Sequence, residues 1–283
     1  MLNLLAAFGL RAGAGGEPDR MKGAICYYSA TGNTKLVVDH LVRRLGGAFD
    51  RCDIARQPAP DLSKYDIIGF ASPVERMAEP HIVAELMRSL PPASGKPAFL
   101  LATYGAIAGR ILVNLSDAAK AKGFKVVESH ALHVPESYPP MIALGLDSSD
   151  QPAPQHLRDF DDFIDRLKAV IADLAAGHVI EEYIPRQRLR NTLAPKLARD
   201  LSPRAMGPKF IDQALCTKCG VCVECCPYEA IKLAPWPVFD ETRCRSCWAC
   251  YNLCPEKAIF TRMLHGKGHY TGPSEEFKRK LAI

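Results

Sequence analysis

Residues 22–46 read "KGAICYYSATGNTKLVVDHLVRRLG". The first eight form a short apolar run closed by a turn, the pattern of a strand buried on both faces. Residues 33–46 are amphipathic at helical spacing and end in glycine, as a helix with a glycine stop does. Between them lies a polar loop, "SATGNT". The same order recurs downstream. "FDRCDI" (49–54), "DIIGFASP" (66–73), "PAFLLATY" (97–104) and "KVVESHALHV" (125–134) read as four further strands. Stretches 79–90 and 108–122 read as helices between the later ones, and 154–177 as a long helix ending in glycine. Five strands interleaved with helices predict an α/β, doubly wound parallel sheet covered on both faces.

The loop Ser29–Thr34 is rich in hydroxyl and amide side chains, and Gly32 lets a ligand approach the backbone. Such a loop can aim N–H groups at a phosphate, backed by the N-terminus of the following helix. No lysine follows it in the GxxxxGK[ST] manner, so a nucleoside triphosphate is not expected. Taken alone, the stretch also reads as a helix cap and turn.

In this position it resembles the T-x-T-G-x-T loop of flavodoxins, which holds the phosphate of FMN. Ser29 stands for the first threonine and keeps the hydroxyl. The resemblance covers about residues 21–180 and implies a five-stranded sheet in the order 2-1-3-4-5. It places the phosphate on Ser29, Ala30, Thr31, Gly32, Asn33 and Thr34. "YDIIGFASPVERMAEP" is similar to the third strand and its loop, which sets Ser72, Pro73, Val74, Arg76 and Met77 beside the flavin. "LLATYGAIAGR" looks like the second flavin loop and adds Thr103, Tyr104, Gly105 and Gly109. Tyr104 is the candidate for stacking on the isoalloxazine, with a buried structural tyrosine as the other reading. The loop "SPVERMAEP" has no tryptophan and no glycine, so Met77 or the stem of Arg76 is the candidate cover for the other ring face.

Of eleven cysteines, two lie before residue 216 and nine between 216 and 254. A secreted disulfide scaffold spreads its cysteines more widely, and dense short spacing predicts a metal centre in a reducing, cytoplasmic setting. "FIDQALCTKCGVCVECCPYEAI" and "VFDETRCRSCWACYNLCPEKAI" repeat with a period of 28 residues. Each contains C-x2-C-x2-C-x3-C-P. Zinc sites favour paired CxxC units with longer spacers. Two complete copies with the closing proline resemble two-cluster bacterial ferredoxins, in which the fourth cysteine ligates the other cluster. That resemblance assigns Cys216, Cys219, Cys222 and Cys254 to one 4Fe-4S cluster, and Cys244, Cys247, Cys250 and Cys226 to a second. Cys225 is spare, since the matching Leu253 cannot ligate. Trp248 and Tyr251 read either as shields of the second cluster or as core. Cys26 and Cys52 read as buried free thiols, and the eight histidines show no ligand spacing.

Residues 186–283 carry 17 Lys and Arg against 9 Asp and Glu, while the rest of the chain is net −3. Each cubane with four thiolates brings about −2, so this basicity is mostly counter-charge for cofactors, and no nucleic acid is expected. No apolar run of about 18 residues is present, so no membrane span is expected.

Residues 1–20 read as an extension, disordered or due to a start codon placed too early, and as a poor signal peptide. Residues 21–180 form the flavodoxin-like domain and 181–209 a basic linker with a short helix, either a solvated face or a docking surface. Residues 210–264 form a small α+β two-cluster ferredoxin-like domain, and 265–283 a polar tail. The chain as a whole resembles a bacterial family that fuses a flavodoxin-like domain to a ferredoxin. The implied function is electron transfer between FMN, the clusters and a redox protein partner, as a carrier or oxidoreductase component. The rival readings are an FMN-dependent reductase of a small molecule such as a quinone, and a cluster-bearing interaction or sensor module. No proton-donating side-chain set stands out in the sequence, which favours the carrier.

Overall fold

The computed structural model describes residues 21–185 and 207–282. The expectations for residues 1–20 and for most of the linker lie outside the described residues. Strands β1 (Lys22–Tyr27), β2 (Ala48–Asp53), β3 (Ile67–Pro73), β4 (Pro97–Tyr104) and β5 (Lys125–His133) form one sheet in the order β2-β1-β3-β4-β5. All four pairings are parallel. This is the flavodoxin-like order. The central strands are buried along nearly their whole length, which is why they read as continuous apolar runs; β2, at the edge, is mostly exposed.

Helices α1 (Asn33–Leu45) and α5 (Pro154–Ala175) cover one face of the sheet, while α2 (His81–Ser89) and α3 (Ile111–Ala121) cover the other. A short α4 (Pro139–Ala143) follows β5. Among the described residues no helix is long and apolar enough to cross a membrane.

The cysteine-rich region keeps the 28-residue repeat in its backbone. Strands β6 (Lys209–Ile211) and β9 (Ile259–Thr261) pair antiparallel, as do β7 (Ile231–Leu233) and β8 (Pro237–Phe239). Short helices Val221–Glu224 and Ala249–Leu253 occupy matching places. Asp212 N–H donates to Ala258 O and Asp240 N–H to Ala230 O, both at 2.8 Å, so each half closes on the other. Left-handed residues also match in pairs: Lys218 with Ser246, Gly220 with Trp248, and Glu229 with Lys257.

The segment expected as a polar tail returns to the first core. Ser274 caps the helix Glu275–Lys280 by accepting from Phe277 N–H at 3.1 Å. Phe277 and Leu281, four apart on one side of that turn, are buried among residues of α1 and α5. His40 Nδ1 lies 2.6 Å from Leu281 O, and Arg43 donates to Ala282 O at 2.8 Å. The charged residues of the segment disguise this contact in the sequence, because only one face of a short helix needs to be apolar.

Candidate functional site

The loops at the C-terminal ends of β1, β3, β4 and β5 surround a cavity of about 370 Å³. This is where open parallel sheets bind ligands. Of the residues expected at the flavin, Ser29, Ala30, Thr31, Asn33, Thr34, Pro73, Val74, Arg76, Met77, Thr103, Tyr104 and Gly105 line it. Gly32, Ser72 and Gly109 do not line it. Gly32 adopts φ 102°, and a Cβ there would come within 3.0 Å of Pro273. Ser72 is fully buried and donates to Pro73 O at 2.8 Å. Gly109, at φ 59°, lets its loop press on the backbone of Met77.

The phosphate-type loop is held from within. Ser29 Oγ accepts from the N–H of Gly32 at 3.1 Å and of Lys35 at 3.2 Å. Thr34 Oγ1 and Thr103 Oγ1 lie 2.8 Å apart, tying the first loop to β4. Asn33 Nδ2 donates to Pro135 O at 2.9 Å, tying it to the end of β5. Helix α1 has no side-chain cap and no acid in its first turn, and among the described residues the N–H groups of Thr31, Asn33 and Thr34 find no acceptor. Lys35 is paired with Asp39 at 2.6 Å on the exposed side. An anion here would be met by backbone dipoles rather than by lysine.

The loop after β3 turns at Glu75–Ala78, with reciprocal backbone hydrogen bonds of 2.9 and 3.0 Å. Its two central residues, Arg76 and Met77, have φ of 52° and 63°. Side chains other than glycine or asparagine rarely occupy that region, and strain of this kind gathers at functional sites. Glu75 is part-buried; its Oε1 is fully occluded and has no partner. Burial raises its carboxyl from 4.5 to about 7, and Arg76 draws it down only partly. Glu136, after β5, accepts from the N–H groups of Ala106, Ser137 and Tyr138 and so locks two loops together. Tyr104 lines the cavity but also stacks on His133, with ring centroids 4.9 Å apart and planes at 3°.

The remaining wall comes from the cysteine-rich region: Ser246, Cys247 and Trp248. Arg76 donates to the carbonyl of Arg245, and Asn252 donates to Ser137 O at 2.8 Å. The edge of Trp248 meets Tyr138, with centroids 6.2 Å apart. Two further small cavities gather thiols. Cys216, Cys219, Cys222 and Cys254 line one; Cys226, Cys244, Cys247 and Cys250 line the other, and Cys225 lines neither. Among the described residues no three such side chains converge on a point that could hold a single ion. Four thiols around a cavity are the donor chemistry of a cubane cluster. Burial, then the charges of Cys254, Cys216 and Cys219, pushes the Cys222 thiol up to about 11. Burial alone would lower Lys209, but Cys244, Glu241 and Cys250 hold its ammonium charged beside the second cavity.

Sequence reasoning passed over Glu75, Glu136, Tyr138, Ser246 and the pocket-facing role of Trp248. Tyr138 and Glu136 had a signal, since they follow a strand whose C-terminal end faces the site. Glu75 had the same signal, lying between Val74 and Arg76 in the loop after β3; Ser246 and Trp248 had none, because their place depends on docking between two distant regions. Cys26 and Cys52 lie opposite each other on β1 and β2, both buried and free.

The family described as "4Fe-4S binding domain" matches residues 209–232 and 237–260. Among curated proteins, F(420)H(2) dehydrogenase subunit I of Methanosarcina mazei is 36% identical over 55 residues, which are 19% of this chain and 30% of that relative. Similar solved structures include a flavodoxin from the domain Archaea, at 16% identity over 55% of this chain and 99% of its own, with a TM-score of 0.40. The two-electron reduced flavodoxin of Megasphaera elsdenii has 18% identity over 53% of this chain and 98% of its own, with a TM-score of 0.39. Rubredoxin oxygen:oxidoreductase from Desulfovibrio gigas has 12% identity over 53% of this chain and 36% of its own, with a TM-score of 0.42.

Proposed function

We propose that this chain is an electron-transfer protein in which FMN occupies the large pocket and a 4Fe-4S cluster occupies each thiol-lined cavity. The observation that carries the proposal is that Cys247 and Trp248 line both the large pocket and the second thiol cavity. One layer of side chains therefore separates the two sites, and a within-chain relay is the use such a wall suits. When bound, FMN exchanges electrons singly or in pairs and the clusters pass them one at a time.

The chain's own residues bind, orient and shield. The N–H groups of Thr31, Asn33 and Thr34, with the Thr31 and Thr34 hydroxyls, would take the phosphate. Val74, Met77 and Tyr104 would flank the ring. Cys216, Cys219, Cys222 and Cys254 would hold the first cluster, and Cys226, Cys244, Cys247 and Cys250 the second. Cys219 is exposed, unlike its counterpart Cys247. That makes the first motif the face for an outside redox protein. The printed name of the Methanosarcina relative, a dehydrogenase subunit, agrees with a partner of that kind. The dense, short-spaced cysteines suit a reducing, cytoplasmic setting.

A second reading, reduction of a small molecule such as a quinone at the pocket, is favoured by one feature. Glu75 places a carboxyl able to give up a proton near neutral pH on the pocket wall.

Anaerobic purification with flavin, iron and sulfide quantitation tests the cofactor set; about eight irons and eight sulfides per chain, with FMN, are expected. Rapid-mixing reduction of the clusters, followed at flavin wavelengths, tests the relay. A rate independent of protein concentration is expected, and a rate proportional to it would overturn transfer within one chain. Turnover of a quinone by the reduced protein, abolished in Glu75→Gln, would favour the second reading.

A further inference from the structure

The chain that follows β9 lies between the second cysteine motif and the phosphate-type loop. The short helix Ala249–Leu253 contains Cys250 and comes just after Cys247, and both thiols line the second cavity. Residues 267–270 are fastened to that helix. The Tyr251 hydroxyl donates to Lys267 O at 2.6 Å, and its ring stacks on His269 with centroids 4.2 Å apart. His269 Nδ1 lies 3.0 Å from Tyr251 O, and Tyr270 N–H donates to Asn252 Oδ1 at 3.1 Å. Tyr251 and Asn252 are both buried.

From Tyr270 onward the same segment rests on the phosphate-type loop. The Tyr270 hydroxyl donates to Asn33 Oδ1 at 2.6 Å. The backbones then run close together: a Cβ on Gly272 would lie 3.5 Å from Thr31 O, and one on Gly32 would lie 3.0 Å from Pro273. Asn33 is buried, and its amide is engaged on both sides, by Tyr270 and by Pro135 O. That amide therefore fixes the loop that carries the N–H groups of Thr31, Asn33 and Thr34. Phe277, buried in the first core, anchors the far end of the segment.

A helix of five residues does not stand on its own propensity. Its order comes from what its side chains hold, and binding of a metal centre by thiolates is folding free energy for the motif that carries them. We propose that Asn252 and Tyr270 are positioning residues of the FMN phosphate site, through which loading of the second cluster tightens FMN. The premise is that FMN and the second cluster occupy the sites assigned above. The route runs from Cys250 through the helix to Asn252, then Tyr270, then Asn33. By linkage, FMN tightens the second cluster by the same factor.

A double-mutant cycle on the full chain, purified without oxygen, tests this. FMN and riboflavin are titrated into flavin-free wild type, Tyr270→Phe, Cys244→Ala and the double variant, and iron is measured on each. Cys244 lines the second thiol cavity and not the large pocket, so its loss removes a cluster ligand without touching the flavin wall. Wild type and Tyr270→Phe hold about eight irons and Cys244→Ala about four. Tyr270→Phe weakens FMN by about three- to tenfold, the worth of one hydrogen bond, and leaves riboflavin unchanged. Cys244→Ala weakens FMN at least as much, and in that background Tyr270→Phe adds less than about twofold. The coupling is overturned by wild-type FMN affinity in either single variant, by the same loss from Tyr270→Phe in both backgrounds, or by equal loss of both flavins in Tyr270→Phe. Each of these leaves the cofactor sites standing. Should Cys244→Ala lose all its iron, the reciprocal measurement decides: saturating FMN slows loss of iron to a chelator in wild type and not in Tyr270→Phe, and equal slowing in both overturns the coupling. A wild-type chain that binds no FMN, or holds no iron, overturns the cofactor readings themselves.

Discussion

The hydroxyl of Tyr270 donates a 2.6 Å hydrogen bond to Oδ1 of Asn33, across 237 residues of sequence. Asn33 in turn donates to Pro135 O, so one amide joins the phosphate-type loop, the end of β5 and the C-terminal segment. Burial raises the Tyr270 phenol, which therefore stays protonated and able to donate. Tyr270→Phe removes this bond alone. We expect about 1 kcal/mol less stability and FMN binding weaker by up to about tenfold. Isothermal FMN titration checks it, and unchanged affinity would confine the bond to a structural role.

Ligation separates two adjacent cysteines. Cys226→Ser should cost iron, because Cys226 shares its cavity with Cys244, Cys247 and Cys250. Cys225→Ser should leave the iron content at wild type, since Cys225 is a part-buried thiol outside both cavities. Iron and sulfide assays of the two variants, purified without oxygen, decide; the reverse outcome would reverse the assignment.

Thr31 and Thr34 are both buried at the mouth of α1. Changing both to alanine removes two hydroxyls from a charged ligand, each worth about 1.5–3 kcal/mol. FMN affinity should fall at least about tenfold while riboflavin affinity holds. Thr34→Ala also frees the Thr103 hydroxyl, so Thr31→Ala alone is the cleaner comparison. Fluorescence titration with the two flavins reads the difference, and a parallel loss of both would remove the loop from phosphate binding.

Glu75 gives the chain a pH dependence of known sign. Its carboxyl lies at about 7 in the folded chain against 4.5 without that environment, chiefly through burial. Between those values the folded state holds a proton that the unfolded state has lost. The group's contribution is complete below pH 4.5 and is lost as pH rises through 7. Glu75→Gln keeps the shape without the charge. At pH 8 the variant should be more stable than wild type by about 2 kcal/mol, a figure reduced because the carboxyl borders an open pocket. Native-state hydrogen exchange of the slowest sheet amides, compared at pH 5 and pH 8, measures this. No difference between the two pH values would mean that Glu75 stays charged when folded.

Strand and helix alternation, the loop Ser29–Thr34 and the cysteine repeat were all legible because each is local. A buried strand, a helix stripe or a C-x2-C-x2-C turn is specified by residues within a dozen positions of one another, and the 28-residue period survives even in backbone angles. Local pattern carries no information on how two separately patterned units meet. Only the tertiary structure brought Cys247 and Trp248 into the walls of both the large pocket and a thiol cavity, and occluded one oxygen of Glu75. Only it turned a charged tail into a helix whose Phe277 and Leu281 complete the first core. Burial of a single side chain is set by everything that packs on it, and here what packs on it lies as much as 239 residues away.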